Sequence, residues 1–323
     1  MKTRDIRDIS LSVVIPVYGG EKTVGKLVDT LVELLPAKSL QIVLVYDCSP
    51  DNSHAVCLEA QQRHPSVVTY LQLAKNFGEH NAVLAGLNHA TGEYVVTMDD
   101  DFQNPPEEVE KLVNTALAGD HDVVYVTYRV KRDSWFRNLG SRFNDFMARF
   151  LLDKPKDLYM SSFRCLNRFL VKEIIKYTGP YPYIDGLILR ATRNIGQVEA
   201  EHHERNEGES GYTLRKLLSL WLNMFVNFSV MPLRISMVVG LCFSILGLVL
   251  AVYSVIEKIL VPGLPAGYPT LLVAITVFSG IILIMLGLVG EYLGRMYLTA
   301  NQSPQFTIRR VVSSHTPDEN TSD

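Results

Sequence analysis

Four cysteines, Cys48, Cys57, Cys165 and Cys242, are all that this chain of 323 residues carries. They show no metal-type spacing and are too few for a disulfide framework, so they read as reduced thiols facing a cytosol. Charge of either sign in excess is also missing. A formal net charge of −3 gives no basic footprint and argues against a nucleic-acid partner. The first ten residues alternate charges with isoleucine and lack the apolar core of a signal peptide. No internal repeat occurs, and no low-complexity tract precedes the short polar tail from Ser313 to Asp323. Hydrophobicity is what the chain has in plenty. The hydrophobic share is 47%, high for a soluble enzyme, and most of the excess lies beyond about Ile235.

The first two hundred residues alternate short β-branched runs with longer helical stretches. Strands are expected over 11–17, 41–46, 67–73, 93–98 and 122–128, with helices near 21–35, 52–64, 80–90 and 107–118. Strand and helix in alternation imply right-handed crossovers and a mostly parallel, Rossmann-like α/β sheet covered on both faces. Ligands of such sheets bind beyond the carboxyl ends of the strands. Pro16-Val17-Tyr18, Asp47-Cys48-Ser49-Pro50-Asp51 and Asp99-Asp100-Asp101 all fall at those ends, which converges three polar strand ends on one rim.

The acidic stretch runs Met98-Asp99-Asp100-Asp101-Phe102-Gln103-Asn104-Pro105-Pro106 and follows the apolar run Tyr94-Val95-Val96-Thr97. Carboxylates crowded at a buried strand end repel one another, and a hard divalent cation (Mg²⁺ or Mn²⁺) suits their oxygens and commonly bridges them to a diphosphate. The same residues would also serve as an acidic cap on the helix that Pro105-Pro106 begins. Downstream, Tyr128-Arg129-Val130-Lys131-Arg132 starts at another strand end, where its cations could neutralise phosphates; a solvated loop is the alternative. The loop His202-His203-Glu204-Arg205 is a poor two-histidine metal site, because neighbours in a strand point to opposite faces. Arg205 is the better candidate there, as a fixed cation for a phosphate.

From Leu214 to Phe228, apolar residues recur at helical spacing behind Arg215 and Lys216, as in an amphipathic helix lying in a membrane interface. Residues 235–256 and 271–290 then form two uncharged apolar runs, each meeting the ~20 residues a spanning helix needs. Pro262, Pro265 and Pro269 turn the chain between them. Arg215, Lys216 and Arg234 precede the first run and Arg295, Arg309 and Arg310 follow the second, whereas the connecting loop has only Lys258. Both ends are therefore expected on the cytoplasmic side. The resulting plan is a cytoplasmic domain over 1–212, an interfacial helix over 213–232, a two-span hairpin over 233–294 and a cytoplasmic tail over 295–323. Gly240, Gly247, Gly280, Gly287 and Gly290 allow close helix packing and a homo-oligomer.

In this order, Val13-Val14-Ile15-Pro16-Val17-Tyr18, Asp47-Cys48-Ser49-Pro50-Asp51-Asn52-Ser53, Asn76-Phe77-Gly78 and Asp99-Asp100-Asp101-Phe102-Gln103-Asn104-Pro105-Pro106 resemble family 2 glycosyltransferases. The branch resembled is that of the polyprenyl-phosphate glycosyltransferases: dolichol-phosphate mannose synthase, bactoprenol glucosyltransferase and undecaprenyl-phosphate formamidoarabinose transferase. The last is nearest at Asp133-Ser134-Trp135-Phe136-Arg137 and over 103–108. The match extends to Gly208-Glu209-Ser210-Gly211-Tyr212 and Gly290-Glu291-Tyr292-Leu293-Gly294-Arg295, nearly the whole chain. Departures are Tyr18-Gly19-Gly20 with Glu21 displaced by one, Cys48 for a usual Gly, Tyr46 for a frequent acid or Asn, and Ser162 where some relatives carry an acid.

This resemblance implies a GT-A fold, a nucleotide-sugar donor (UDP-linked or similar) and undecaprenyl phosphate as acceptor, at the cytoplasmic face of a bacterial inner membrane. Pro16, Tyr18, Asp47 and Lys75 would lie around the nucleotide, with Asp99 and Asp100 reaching the ribose or the metal shell. Asp101 and Gln103 would hold the metal, while Arg129, Arg132 and Arg205, with Ser210, would meet phosphates of donor or lipid. A processive polysaccharide synthase is the competing enzyme, but it would carry a Gln-x-x-Arg-Trp motif and no Arg-Trp pair occurs. A non-enzymatic membrane scaffold would keep the sheet and the hairpin without needing carboxylates gathered at one rim.

Overall fold

In the computed structural model the described residues are 4–36, 38–128, 155, 158–200, 231–260, 268–302 and 304–314. The chain divides into two compact units, residues 1–212 joined by 302–323, and residues 213–301.

The first unit is built on eight strands: β1 (Ser10–Val17), β2 (Ser39–Tyr46), β3 (Val68–Leu73), β4 (Tyr94–Thr97), β5 (Val123–Tyr128), β6 (Arg164–Asn167), β7 (Ile195–Ala200) and β8 (Ile308–Val312). They form one sheet in the order β7-β5-β6-β4-β1-β2-β3-β8. Pairs β1–β2, β2–β3, β1–β4 and β5–β7 are parallel, whereas β6 and β8 pair antiparallel with their neighbours. Ile42, Val43, Leu44 and Val45 of β2 are all fully buried, which is the signature of a strand covered on both faces. The covering helices are α1 (Val24–Leu34), α2 (Ser53–Arg63), α3 (Glu79–His89), α4 (Glu108–Gly119), α5 (Arg168–Ile174) and α6 (Ile184–Ala191). In α1, Val24, Leu27, Val28 and Leu31 are buried at i, i+3, i+4 and i+7, one stripe against the sheet. Helix α3 lies close on the sheet at Gly86, where a β-carbon would come within 2.3 Å of Val14 Cγ1.

The chain runs β1, β2, β3 outward on one side and then returns to place β4 on the other side of β1. That reversal opens a crevice beyond the carboxyl ends of β1 and β4, the preferred ligand position in open α/β sheets. The five anticipated strands and four anticipated helices are present, with ends displaced by a few residues. Three strands were not anticipated. β6 is four residues long with Arg164 interrupting its apolar run, and β7 exposes the polar Gln197 and Glu199, so neither offers an unbroken apolar run to announce it. β8 falls in the stretch read as a tail, where five residues are too few for a periodicity to register.

Arg164 is 2% exposed and pairs with Asp185 at the start of α6. Tyr125 of β5 donates to the same carboxylate at 2.9 Å. A buried guanidinium tolerates this position only while its partner is there.

The second unit contains two long helices, α7 (Met231–Leu260) and α8 (Tyr268–Ala300). Val277–Ala300, with mean hydropathy 1.9, is long and apolar enough to cross a membrane; in α7 the described apolar run is Ser236–Gly247. Large apolar side chains are exposed on both, Leu241 at 61% and Ile284 at 71% among them. Phe243 and Phe278 meet edge to face with ring centres 6.3 Å apart. The expected interfacial helix over 213–232 lies almost wholly outside the described residues.

Asp185→Ala should leave Arg164 buried without a counter-ion and destabilise the first unit by about 3–5 kcal/mol. A thermal melt of the purified protein should drop by roughly 6 °C or more; a midpoint unchanged from the parent would contradict this role.

Candidate active site

The crevice is floored by the turn after β1. Tyr18 is 57% exposed, and its backbone N–H donates to Asp100 Oδ2 at 3.3 Å. Gly19 N donates to Ser49 Oγ at 2.8 Å, Gly20 N to Ser53 Oγ at 3.0 Å and Glu21 N to Asp51 Oδ2 at 3.1 Å. Glu21 returns a bond by accepting from Asn52 N at 2.8 Å. The ends of β1 and β2 are thus laced together, and Asp51 is held ionised below the usual carboxylate range by Ser49, Ser53 and the Glu21 amide. Two glycines at 19 and 20 now have a reason. Gly19 has φ +82, and a β-carbon on Gly20 would sit 2.3 Å from Asp100 Oδ2.

The acidic trio follows β4 and fans outward. Asp99 Oδ2 accepts from Ser162 Oγ at 2.6 Å and from Asn104 Nδ2 at 3.2 Å. Asp101 Oδ1 accepts from Gln103 N at 3.1 Å across Phe102, whose φ is +59. Asp99 and Asp100 have no ion-pairing partner among the described residues. Burial, aided by Asp101 and Asp99, pushes the Asp100 carboxyl up to about 7. Asp99 is also raised, chiefly by burial, with the Ser162 bond working against the rise. The stretch is therefore a desolvated, mutually repelling acid cluster rather than a cap: Glu107 precedes α4 without a capping side-chain bond.

A buried chain of bonds supports Asp99 from behind. Antiparallel pairing sets Thr97 opposite Arg164, which carries Ser162 to a position opposite Asp99. Arg164 Nε donates to Thr97 Oγ1 at 3.2 Å, and Thr97 Oγ1 donates to the Ser162 carbonyl at 2.7 Å. From the sequence, Ser162 reads only as a missing acid, and Asp185 goes unremarked. The available signal was a lone charge inside each of two apolar runs, Phe163-Arg164-Cys165-Leu166 and Ile184-Asp185-Gly186-Leu187, because such charges survive burial only in pairs.

The start of α3 forms another wall that the sequence reading missed. Desolvation and the Asp99 charge push Glu79 up to about 7. His80 is driven down to about 4 by burial, its ring meeting Tyr183 edge-on at 5.0 Å. Its Nδ1 has no hydrogen-bond partner among the described residues.

Of the expected nucleotide-binding residues, Pro16 lies within β1, half-buried and paired with Val45. Asp47 is 3% exposed, and its oxygens accept from Phe77 N at 2.7 Å and Gly78 N at 2.8 Å, so it fixes the turn leading into α3. Lys75 is exposed, with Nζ 5.1 Å from the centre of the Phe77 ring. Tyr18, Asp47, Lys75, Asp99, Asp100, Asp101 and Gln103 all follow the carboxyl ends of β1–β4. Arg129, Arg132, Arg205 and Ser210 lie outside the described residues, as do His202 and His203.

Ser162→Ala removes the shortest bond to Asp99, and the expected sugar transfer should slow about tenfold or more with little change in melting temperature. Gly20→Ala should do the same by displacing Asp100. Parent-like rates in both variants would show that the orientation of these carboxylates is immaterial.

Residues 12–175 match the model of Glycosyl transferase family 2, and residues 231–296 match one described as GtrB C-terminal hairpin. The chain is 34% identical over 313 residues to undecaprenyl-phosphate 4-deoxy-4-formamido-L-arabinose transferase from Edwardsiella ictaluri (strain 93-146), covering 96% of each chain. It is 32% identical to the protein of the same name from Proteus mirabilis (strain HI4320), again over 96% of both. Among solved structures, glucosyl-3-phosphoglycerate synthase from Mycobacterium tuberculosis, in complex with Mn²⁺, UDP-glucose and phosphoglyceric acid, is similar in fold. It has a TM-score of 0.51 and 18% identity over 66% of this chain and 76% of that one. With its GT-A, Rossmann-like mixed sheet and full-length relatives above 30% identity, the chain belongs to glycosyl transferase family 2 and is a glycosyltransferase.

Proposed function

We propose that this enzyme transfers a sugar from a nucleotide-sugar donor, a UDP-sugar in our reading, to undecaprenyl phosphate at the cytoplasmic face of a bacterial inner membrane. The reading is carried by the likeness, over 96% of both chains, to relatives named for that acceptor. It is supported by an acid cluster at the sheet's switch point and by long apolar helices in the same chain. Such a product would feed the glycans or lipopolysaccharide of the cell envelope.

A phosphate monoester has a second pKa near ~6 and is largely ionised at neutral pH, so this acceptor needs no general base. Ser162 in place of an acid, and Asp99 engaged by Ser162 and Asn104, fit that requirement. The harder task is the leaving nucleoside diphosphate, whose charge grows as the bond to the sugar breaks. Among the described residues no three His, Cys, Asp or Glu side chains converge into a cation cage. This donor set fits Mg²⁺ or Mn²⁺, which are commonly held by one or two carboxylates and completed by substrate phosphate. Asp101 with Gln103 would hold the cation, and when bound it would offset charge on the departing diphosphate. Asp100, tethered to Tyr18, would turn toward the ribose or the cation's outer shell. Arg129, Arg132 and Arg205, with Ser210, are proposed to meet the phosphates of donor and lipid. Attack from the face opposite the leaving group would invert the sugar carbon.

Helices α7 and α8 are proposed to cross the bilayer as a hairpin, with 213–232 at the interface and Lys/Arg flanks holding both ends in the cytoplasm. At 1.5 Å per residue, helices of 30 and 33 residues exceed the ~30 Å hydrocarbon core, leaving turns to project beyond it. Small residues on both would permit self-association.

The direct test incubates the purified protein with undecaprenyl phosphate, Mn²⁺ and a panel of nucleotide sugars, and follows the lipid by mass spectrometry. A sugar-phosphate lipid is expected, and its absence with every donor would contradict the proposal. Asp101→Ala should reduce that product by at least about 100-fold without lowering the melting temperature. The raised carboxyl of Asp100 makes a further prediction. It binds a proton more tightly folded than unfolded, so the stability it contributes is present in acid and is lost as pH rises through about 7. Metal-free protein should accordingly melt lower at pH 8 than at pH 5.5. Added Mn²⁺ and UDP should raise the midpoint more at pH 8, where the carboxylates are ionised. A pH-independent rise would contradict cation binding by this cluster.

A further inference from the structure

We infer that Arg309, brought back to the sheet by the strand that follows the hairpin, binds the base of the donor nucleotide. The inference rests on the donor reading above and adds a residue outside both family matches, which end at 175 and 296. Strand β8 pairs with β3 through Tyr70–Val312, Leu71–Val311 and Gln72–Arg310, and then jumps to Leu73–Ile308. Arg309 is the residue skipped. It is the extra residue of a β-bulge, a device that re-aims a side chain and recurs beside active sites. The ladder continues past β3, with Ala74 N donating to Thr307 O at 2.8 Å. Gln305 Nε2 pins the approach by donating to the carbonyls of Tyr177 at 2.9 Å and Gly179 at 2.7 Å.

The bulge sends the two arginines to different neighbours. Arg310 shares a face with Tyr70, on the side of α2, where His54 contacts the Tyr70 hydroxyl. Arg309 instead sits at the skipped position beside Leu73, whose carbonyl accepts from the Cys48 thiol at 3.2 Å; burial and Asp47 push that thiol up, and the guanidinium opposes the rise. Cys48 directly follows Asp47 in the turn after β2, and Lys75 stands two residues beyond β3. Arg309 and Lys75 are both exposed, and neither pairs with a carboxylate among the described residues. Two exposed cations with no carboxylate partner among the described residues therefore stand at the carboxyl end of the sheet.

Spacing decides which part of the donor they meet. From the acids after β4 to the end of β3 is three strand steps, roughly 14 Å at the usual separation. With the diphosphate over the acids, the nucleoside extends across β1 and β2, and its base arrives above β3 and β8. A guanidinium offers paired N–H donors there for the carbonyl edge of a pyrimidine. The alternative is that Arg309 merely guards an exposed edge strand against pairing with another chain.

The experiment measures binding of UDP and UMP to the full-length protein by calorimetry, together with the donor KM. Arg309→Ala should weaken both nucleotides by the same factor, about tenfold, and raise the donor KM while kcat holds. Arg309→Lys should recover part of the loss, and Arg310→Ala should bind like the parent. Unchanged UDP affinity in Arg309→Ala would leave only edge protection and overturn the inference, and so would a loss confined to UDP, which would mark a phosphate contact. If the parent itself binds neither nucleotide, the donor reading fails and this inference goes with it. Parent binding with an unaffected Arg309→Ala removes the inference alone.

Discussion

Repulsion among three carboxylates at the end of one buried strand is the constraint to which the rest of the catalytic unit answers. Asp99, Asp100 and Asp101 crowd the rim because they directly follow β4, which is four residues long, buried throughout and inserted beside β1 at the point where strand order reverses. Burial, with Asp101 and Asp99 beside it, pushes the Asp100 carboxyl up to about 7. Among the described residues no lysine or arginine pairs with Asp99 or Asp100 to relieve the repulsion. The fold fixes the direction of each carboxylate instead: Asp99 by Ser162 and Asn104, Asp100 by the Tyr18 amide, Asp101 by the Gln103 amide. Directed but uncompensated charge favours a ligand that brings its own cation.

The fixation reaches far into the core. Ser162 is placed by its carbonyl bond to Thr97, Thr97 accepts from Arg164, and Arg164 is held by Asp185 and, through that carboxylate, by Tyr125. None of these groups needs to touch substrate. A buried ion pair is a weak source of net stability, so its value here is better understood as orientation of the rim above it. Beyond the end of β2, Asp47 does comparable service for the turn into α3, and β8 closes the sheet edge next to β3.

How much of this could be read from residues alone follows from which signals are local. Strands β1 to β5 are legible because each is a β-branched run bounded by turn residues, and the acid cluster because it falls at the same rim as two other polar strand ends, which a helix cap alone does not explain. Glu79 was within sight of the Asn-Phe-Gly motif, yet the desolvation and the Asp99 charge that raise its carboxyl arise only once Asp99, twenty residues on, is folded beside it. Arg164 and Asp185 are illegible as a pair until β6 inserts antiparallel between β4 and β5. Strand β8 is too short to register and lies beyond two long apolar helices, so its partner β3, more than two hundred residues earlier, has no sequence-local trace. Local pattern reveals elements; pairings across long separations require the folded chain.

The account stands most directly on whether cation and nucleotide bind as one unit. Electron paramagnetic resonance of Mn²⁺, titrated with the purified protein in the presence and absence of UDP, reads this without any sugar transfer. The prediction is weak capture of Mn²⁺ alone and strong capture with UDP, because the carboxylates supply only part of the shell. Mn²⁺ that stays free in the presence of protein and UDP, while UDP binds equally well in excess chelator, would contradict it.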